Sequence, residues 1–226
     1  MKHILFIVTS TNKTGAGQHK AGYEFSEIAD PYYEFVNHGY AIDFASIKGG
    51  EPPYVGYDSE KKASKDFLKS NGFKRLNFSH RLNNVDMDAY DAIFFPGGLG
   101  LMTDMVDNPL VKEMIKEAYE NNKVIGAVCH GPTALLNVKL TNGDNLLKGK
   151  KINSFTKEEE RMDNHILGDI IPFMLEEELI KQGAVFSHTF PFESYVVNDG
   201  NIVTGQNPAS ASGVALKMID LLETKS

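Results

Sequence analysis

The chain reads PLVKEMIKEAYENNKVIGAVCHGP from residue 109 to residue 132, and this stretch decides the fold. Pro109 stands where the first residue of a helix is expected, and apolar residues follow it at helical spacing. Residues 123–129 then form a short apolar run that ends at Cys129. A helix followed by a buried strand is the repeating unit of a mainly parallel α/β sheet.

The same alternation extends over the rest of the chain. Apolar runs of strand length occur at 3–8, 40–46 and 90–98, and a helical pattern covers 23–39, where Pro31 is expected to interrupt or kink the helix. Further short strands are predicted at 150–156, 184–188, 194–199 and 201–205. No repeat or linker divides the sequence. We therefore predict one domain, 1–226, with a flavodoxin-like α/β fold whose mainly parallel sheet is sandwiched between helices.

Composition limits the classes of partner. The chain has 226 residues and a formal net charge of −7, which gives no basic surface for nucleic acid or anionic lipid. No apolar stretch approaches the roughly 20 residues that a membrane span needs. The single cysteine cannot form an intramolecular disulfide. These features predict a cytoplasmic protein that binds neither nucleic acid nor membrane.

Cys129 lies where a predicted inner strand turns sharply into a short helix. Ligand sites in α/β sheets lie beyond the carboxyl ends of the strands, and a residue at such a turn resembles the nucleophile elbow of serine hydrolases. A following helix N-terminus would lower the pKa of the thiol below its ordinary value. The alternative is that Cys129 is only a small buried apolar residue.

A nucleophilic thiol also needs a proton acceptor and an oxyanion site. His130 is adjacent to Cys129, and the backbone N–H groups of Gly97 and Gly98 end the preceding predicted strand. The other histidines lack the spacing of metal ligands, and the sequence GGLG is not followed by the Lys-Ser/Thr pair of a phosphate loop. We predict neither a catalytic metal nor a cofactor.

Three stretches together carry a family resemblance: YDAIFFPGG (90–98), KVIGAVCHGPTALL (123–136) and IVTGQNPASASGVA (202–215). The chain resembles the ThiJ/PfpI superfamily from its first strand to its last helix. The narrower motifs SEIADPYYEF, INSFTKEEE and TGQNPASA look like the branch that contains heat-shock chaperone-like proteins and glutathione-independent glyoxalases.

The resemblance implies roles for individual residues. Cys129 matches the nucleophile of the family and His130 its catalytic histidine. Glu27, four residues before Pro31, matches a glutamate that exchanges protons near the thiol, and Glu24 is a rival without that spacing. Gly98 and His130 are expected to bind the oxyanion and the substrate.

The acidic residue that would orient His130 falls in the run Glu158, Glu159 and Glu160. Counting from Thr156 in the resembling motif favours Glu160, with Glu158 and Glu159 as the alternatives. The two that do not orient His130 are expected not to be catalytic, since an acidic run is ordinarily a solvated helix start. The chain departs from many relatives at Leu99, where they carry a histidine after the glycine pair.

The resemblance implies a cofactor-free lyase that converts methylglyoxal and related 2-oxoaldehydes to 2-hydroxy acids. Alternatives that use the same cysteine are a deglycase, a peptidase and a thiol redox sensor, and a further alternative is a stress chaperone without turnover. A homodimer is expected by analogy with the superfamily.

Overall fold

The computed structural model describes residues 2–15 and 19–224 of the chain. The strands are β1 His3–Val8, β2 Lys13–Thr14, β3 His19–Lys20, β4 Tyr23–Glu24, β5 Ala41–Ser46, β6 Tyr54–Val55, β7 His80–Arg81, β8 Ala92–Phe95, β9 Val124–Val128, β10 Lys151–Ile152, β11 Val185–Phe186, β12 Val196–Asp199 and β13 Ile202–Gly205. The helices are α1 Ser26–Asn37, α2 Lys62–Lys69, α3 Asn71–Leu76, α4 Leu101–Asp104, α5 Pro109–Glu120, α6 Lys157–Met162, α7 Leu175–Lys181 and α8 Ala211–Thr224.

Seven strands form the central sheet in the order β12-β13-β9-β8-β1-β5-β7. All neighbouring pairs are parallel except β12 and β13, which form an antiparallel hairpin at one edge. Every residue of β8 and β9 is buried, as expected for strands covered by helices on both faces. The prediction of an α/β fold with a mainly parallel sheet flanked by helices is confirmed.

Two apolar cores fill the space between the sheet and its helices. On one face, α1 and α8 pack over the sheet through residues such as Ile28, Phe35 and Met218. On the other face, α5 contributes Val111 and Ile115 to a separate core. Helices cover both faces of the sheet, so its inner strands are open only at their ends. At their carboxyl ends β8, β9 and β13 lead into loops, and these loops lie along one edge of the sheet.

Four predicted elements differ from the structure. Helix α1 is not interrupted at Pro31, which is buried on the face that α1 presents to the core. Residues 150–156 and 184–188 contribute only the two-residue strands β10 and β11, which pair with each other outside the central sheet. The short helix predicted after Cys129 is a 3-10 turn, Gly131–Leu135.

Candidate active site

Cys129 follows the last residue of β9, at the carboxyl edge of the sheet. Its φ of +60° lies in the left-handed region, which non-glycine residues adopt rarely. Its N–H donates to the Gly205 carbonyl at 2.9 Å, and its carbonyl accepts from the Phe155 N–H at 2.9 Å. These two hydrogen bonds hold the turn. The side chain is buried, with 4% of its surface exposed.

The backbone at Cys129 lets two adjacent side chains meet. The Sγ atom of Cys129 lies 3.3 Å from Nδ1 of His130. The other ring nitrogen, Nε2, lies 2.9 Å from Oε1 of Glu160, the first-turn residue of α6. Cys129, His130 and Glu160 therefore form a continuous hydrogen-bonded chain.

Glu160 also contacts a second imidazole. Its Oε2 atom lies 2.5 Å from Nδ1 of His165, and the side chain of Glu160 is only 1% exposed. Burial raises the pKa of Glu160, but the imidazoles of His130 and His165 outweigh that effect and lower the pKa to about 2. Glu160 is therefore a carboxylate that accepts hydrogen bonds, so Nε2 of His130 donates to it and Nδ1 is the ring nitrogen that faces the sulfur.

Glu27 lies beneath the thiol, fully buried in the first turn of α1. Its Oε2 atom accepts a hydrogen bond from the Gly97 N–H at 2.5 Å. Among the described residues, none forms a hydrogen bond of good geometry with its Oε1 atom, although the thiol of Cys129 is close enough to affect its pKa. Burial, together with the charge of Glu24, raises the pKa of Glu27 well above its ordinary value.

Only glycine fits at position 97. A Cβ atom there would lie 2.6 Å from Oε2 of Glu27 and 2.7 Å from Cβ of Cys129. Real Cβ atoms essentially never make contacts shorter than 3.0 Å. The backbone of Gly97 therefore fills the space between the carboxyl group and the cysteine.

The thiol does not have the lowered pKa that the sequence suggested. Burial, together with the negative charge of Glu27, raises the pKa of Cys129 well above its ordinary value. The expected helix N-terminus is a single five-residue 3-10 turn, too short to offset desolvation of the thiolate.

A small cavity of about 160 Å³ opens over these groups. Its walls are apolar on Val55, Leu99, Phe155 and Pro208 and polar elsewhere. The lining residues are Glu24, Val55, Gly98, Leu99, Cys129, His130, Phe155, Asp163, His165 and Pro208. Larger grooves of about 540 and 560 Å³ lie elsewhere on the surface, and neither includes Cys129.

Sequence reasoning missed two polar residues of this cavity wall, His165 and Asp163. It named Glu24 only as a rival to Glu27. Glu24 lines the cavity, and burial raises its pKa to about 7. His165 and Asp163 lie in the loop after α6, where no periodic pattern indicates which side chains turn inward. Only the proximity of His165 to Glu160 in the chain could have served as a signal.

Glu159 and Glu158 differ from each other. Glu158 is exposed, as expected for a surface residue. Glu159 is fully buried, unlike the solvated side chains that an acidic run at a helix start ordinarily has. The capping box of α6 holds its carboxylate on Thr156, and the side chains of Gln206 and Asn207 donate to its Oε1 atom.

His130, Glu160 and His165 are the described residues whose donor atoms lie near enough for a shared metal ion, within 4.8 Å of one another. Zinc ligands lie about 2.0–2.2 Å from the ion, which places neighbouring ligand atoms more than about 3 Å apart. The N···O distances of 2.9 and 2.5 Å are instead those of direct hydrogen bonds. Protons link the three groups in this arrangement, and the absence of a catalytic metal stays a prediction.

The model of the DJ-1/PfpI family matches residues 19–221. The chain belongs to the DJ-1/PfpI family. This confirms the resemblance to the ThiJ/PfpI superfamily.

Two further comparisons concern the branch within the family. The chain is 32% identical to the glutathione-independent glyoxalase HSP31 of Saccharomyces cerevisiae, over 98% of each chain. Its structure is similar to that of glyoxalase III from Candida albicans, with a TM-score of 0.85, 29% identity and coverage of 97% of this chain and 96% of that one.

A third relative is not named as a glyoxalase. The structure of Rapid Encystment Protein 24 kDa from Francisella tularensis matches with a TM-score of 0.93 and 36% identity, over 98% of this chain and 99% of that one. None of the described helices has the length and apolar character that crossing a lipid bilayer requires.

Proposed function

We propose that this protein is a glutathione-independent glyoxalase, a cofactor-free lyase that converts methylglyoxal and related 2-oxoaldehydes to 2-hydroxy acids. The observation that carries the proposal is the hydrogen-bonded chain of Cys129, His130 and Glu160 at a small cavity. The similarity to relatives named as glutathione-independent glyoxalases supports the same function.

The first step is addition of the thiol to the aldehyde. The sulfur of Cys129 bonds to C1 as the C1=O bond opens, and the thiol proton moves to the new oxygen, which gives a neutral hemithioacetal. Glu27, whose carboxyl group has a raised pKa beside the sulfur, carries that proton. The high pKa of the resting thiol is consistent with a proton that leaves only as the C–S bond forms.

The hemithioacetal oxygen needs hydrogen-bond donors. Among the described residues, no backbone acceptor is bound by the N–H group of Gly98 or of His130. Both residues line the cavity. These two donors form the proposed oxyanion site. Cys129 at its strained backbone then acts as the nucleophile elbow.

His130 transfers the proton between C1 and C2. Because Nε2 donates to Glu160, Nδ1 is the basic nitrogen, and it lies beside the sulfur that carries C1. Nδ1 removes the C1 proton while the hydroxyl proton of the C1 oxygen passes to the C2 oxygen by way of the enediol. Nδ1 then returns its proton to C2, which leaves a thioester at C1 and a hydroxyl group at C2. Water then cleaves the C–S bond and releases the 2-hydroxy acid and the free thiol.

The cavity favours this substrate class over larger ones. A volume of about 160 Å³ suits a small aldehyde better than a peptide. None of the cavity-lining residues is a lysine or an arginine, so an anionic substrate could not form an ion pair with either residue type there. We therefore rank the peptidase alternative below the glyoxalase.

The deciding experiment is incubation with methylglyoxal in the absence of glutathione, followed by measurement of D-lactate and L-lactate. We expect lactate from the wild type, in the presence of a chelator as well, and none from Cys129→Ala. Absence of turnover in the folded wild type would contradict the proposal. If Cys129→Ala then still suppresses aggregation of a client protein, the chaperone alternative stands.

We further propose that the protein is a homodimer, as the family resemblance implies, and that it is located in the cytoplasm. The one cysteine is unpaired, which suits a reducing compartment. Sedimentation velocity at micromolar concentration tests the first part, because a monomer there would contradict it. Fractionation of the source cells tests the second.

A further inference from the structure

His165 has no step in the mechanism above, yet it shares the carboxylate of Glu160 with His130. Nδ1 of His165 lies 2.5 Å from Oε2, and Nε2 of His130 lies 2.9 Å from Oε1. The backbone N–H of His165 also donates to the carbonyl of Glu160 at 2.8 Å. Each oxygen of the carboxylate thus has its own imidazole.

Both imidazoles pack against one aromatic ring. The centroid of Phe155 lies 4.9 Å from that of His130 and 6.0 Å from that of His165. The side chains of His130 and His165 are 3% and 19% exposed. The ring of His165 is therefore held in place by its own packing and is not a mobile surface group.

A glutamate needs such a second partner if it is to orient a histidine. Rotation about its terminal bond is soft, so a single hydrogen bond leaves the plane of the carboxylate poorly defined. A buried carboxylate oxygen without a partner is also costly. A donor on Oε2 fixes the plane and so fixes the direction of Oε1.

We propose that His165 is a positioning residue: it binds Oε2 of Glu160 and thereby holds Oε1 on Nε2 of His130. The effect on turnover rests on the proposed glyoxalase function. The hydrogen bond itself can be measured without it.

Two amide substitutions separate this role from simple packing. In His165→Asn the amide nitrogen takes the place of Nδ1, whereas in His165→Gln it takes the place of Nε2, away from Glu160. We expect Gln and Ala at this position to lower kcat for methylglyoxal about 10- to 100-fold with little change in KM. Asn should recover most of the loss. His80→Asn, at an exposed site on β7, is the matched control.

The second readout is the carboxyl 13C resonance of Glu160, assigned by its loss in Glu160→Gln. The titratable groups that face Glu160 are His130, His165 and the thiol of Cys129. Loss of a donor should raise the titration midpoint of Glu160 by about one unit or more in the Gln and Ala variants, and Asn should restore it.

The outcomes distinguish the two proposals. A wild type without lactate production contradicts the glyoxalase, while the carboxyl titration still decides the role of His165. Equal midpoints in the wild type and both amide variants would overturn the role of His165, as would a Gln variant with wild-type kcat. If His165→Ala does not fold, the Asn and Gln pair still provides the comparison.

Discussion

Glu159 and Glu160 are adjacent in the chain and both are buried, yet their carboxylates serve different parts of the molecule. Oε1 of Glu160 lies 2.9 Å from Nε2 of His130. Oε1 of Glu159 accepts hydrogen bonds from Asn207 at 2.8 Å and from Gln206 at 3.1 Å. One carboxylate belongs to the candidate active site, and the other ties α6 to the loop after β13.

Glu160→Gln should lower the rate of lactate formation about 100- to 10,000-fold, the usual range for general acid–base help. The amide cannot hold the proton on Nε2 of His130 as the carboxylate does, so Nδ1 loses its role as base. Steady-state kinetics checks this. The control is Glu158→Gln, since Glu158 is exposed and should keep wild-type activity. A fully active Glu160→Gln would contradict the assignment.

Glu159→Gln should lower the free energy of unfolding by about 1 to 3 kcal/mol, because the side-chain amide cannot accept every hydrogen bond of this buried carboxylate. Its Oε2 atom accepts from the N–H and hydroxyl of Thr156, and its Oε1 atom accepts from the Phe192 N–H at 2.7 Å. Urea denaturation measures the loss. A variant as stable as Glu158→Gln would show that the network can rearrange.

Glu27→Gln should lower the pKa of the Cys129 thiol and also slow turnover. The carboxylate raises the pKa of the thiol by its charge, and the amide that replaces it is neutral and cannot carry the thiol proton. A pH series of iodoacetamide alkylation gives the pKa. A higher pKa in the variant would mean that Glu27 donates a hydrogen bond to the thiolate in the wild type.

Gly97→Ala should remove most activity and destabilise the fold by about 1 to 3 kcal/mol, as overpacking does. The added methyl group would lie 2.6 Å from Oε2 of Glu27 and 2.7 Å from Cβ of Cys129. Thermal unfolding and lactate formation measure the two effects. Gly143→Ala adds the same group at a position with open space, though with a φ of +87°, so it should keep full activity despite some backbone strain. Equal activity of the two variants would argue against close packing at Gly97.

Glu24 should make stability depend on pH. Its pKa in the folded chain is raised by burial from the ordinary value of 4.5 to about 7. The folded state therefore binds more protons than the unfolded state, and its stability falls as pH rises across that window. Relative to the wild type, Glu24→Gln should gain about 1 to 3 kcal/mol between about pH 5 and pH 8. Urea denaturation at both values checks this, and Glu158→Gln should follow the wild type.

The sequence by itself determined the fold and most of the candidate site. Helices such as α5 and strands such as β9 follow from local patterns of apolar residues, and alternation of the two requires a parallel sheet. The position of Cys129 after an inner strand placed it at the carboxyl edge. Glu27 and Glu160 could be named only through the family resemblance, because a glutamate in an amphipathic helix is ordinarily a surface residue.

Only the tertiary structure decided how the charges of the site act on one another. The sequence suggested a lowered thiol pKa from a helix N-terminus, but burial and the neighbouring Glu27 reverse the direction. The sequence pattern did not single out His165, because the loop that carries this residue has no periodic pattern of apolar residues. The first result depends on the distance between Glu27 and Cys129, which are far apart in the chain, and pKa values respond to burial and to charges within a few ångströms rather than to sequence spacing.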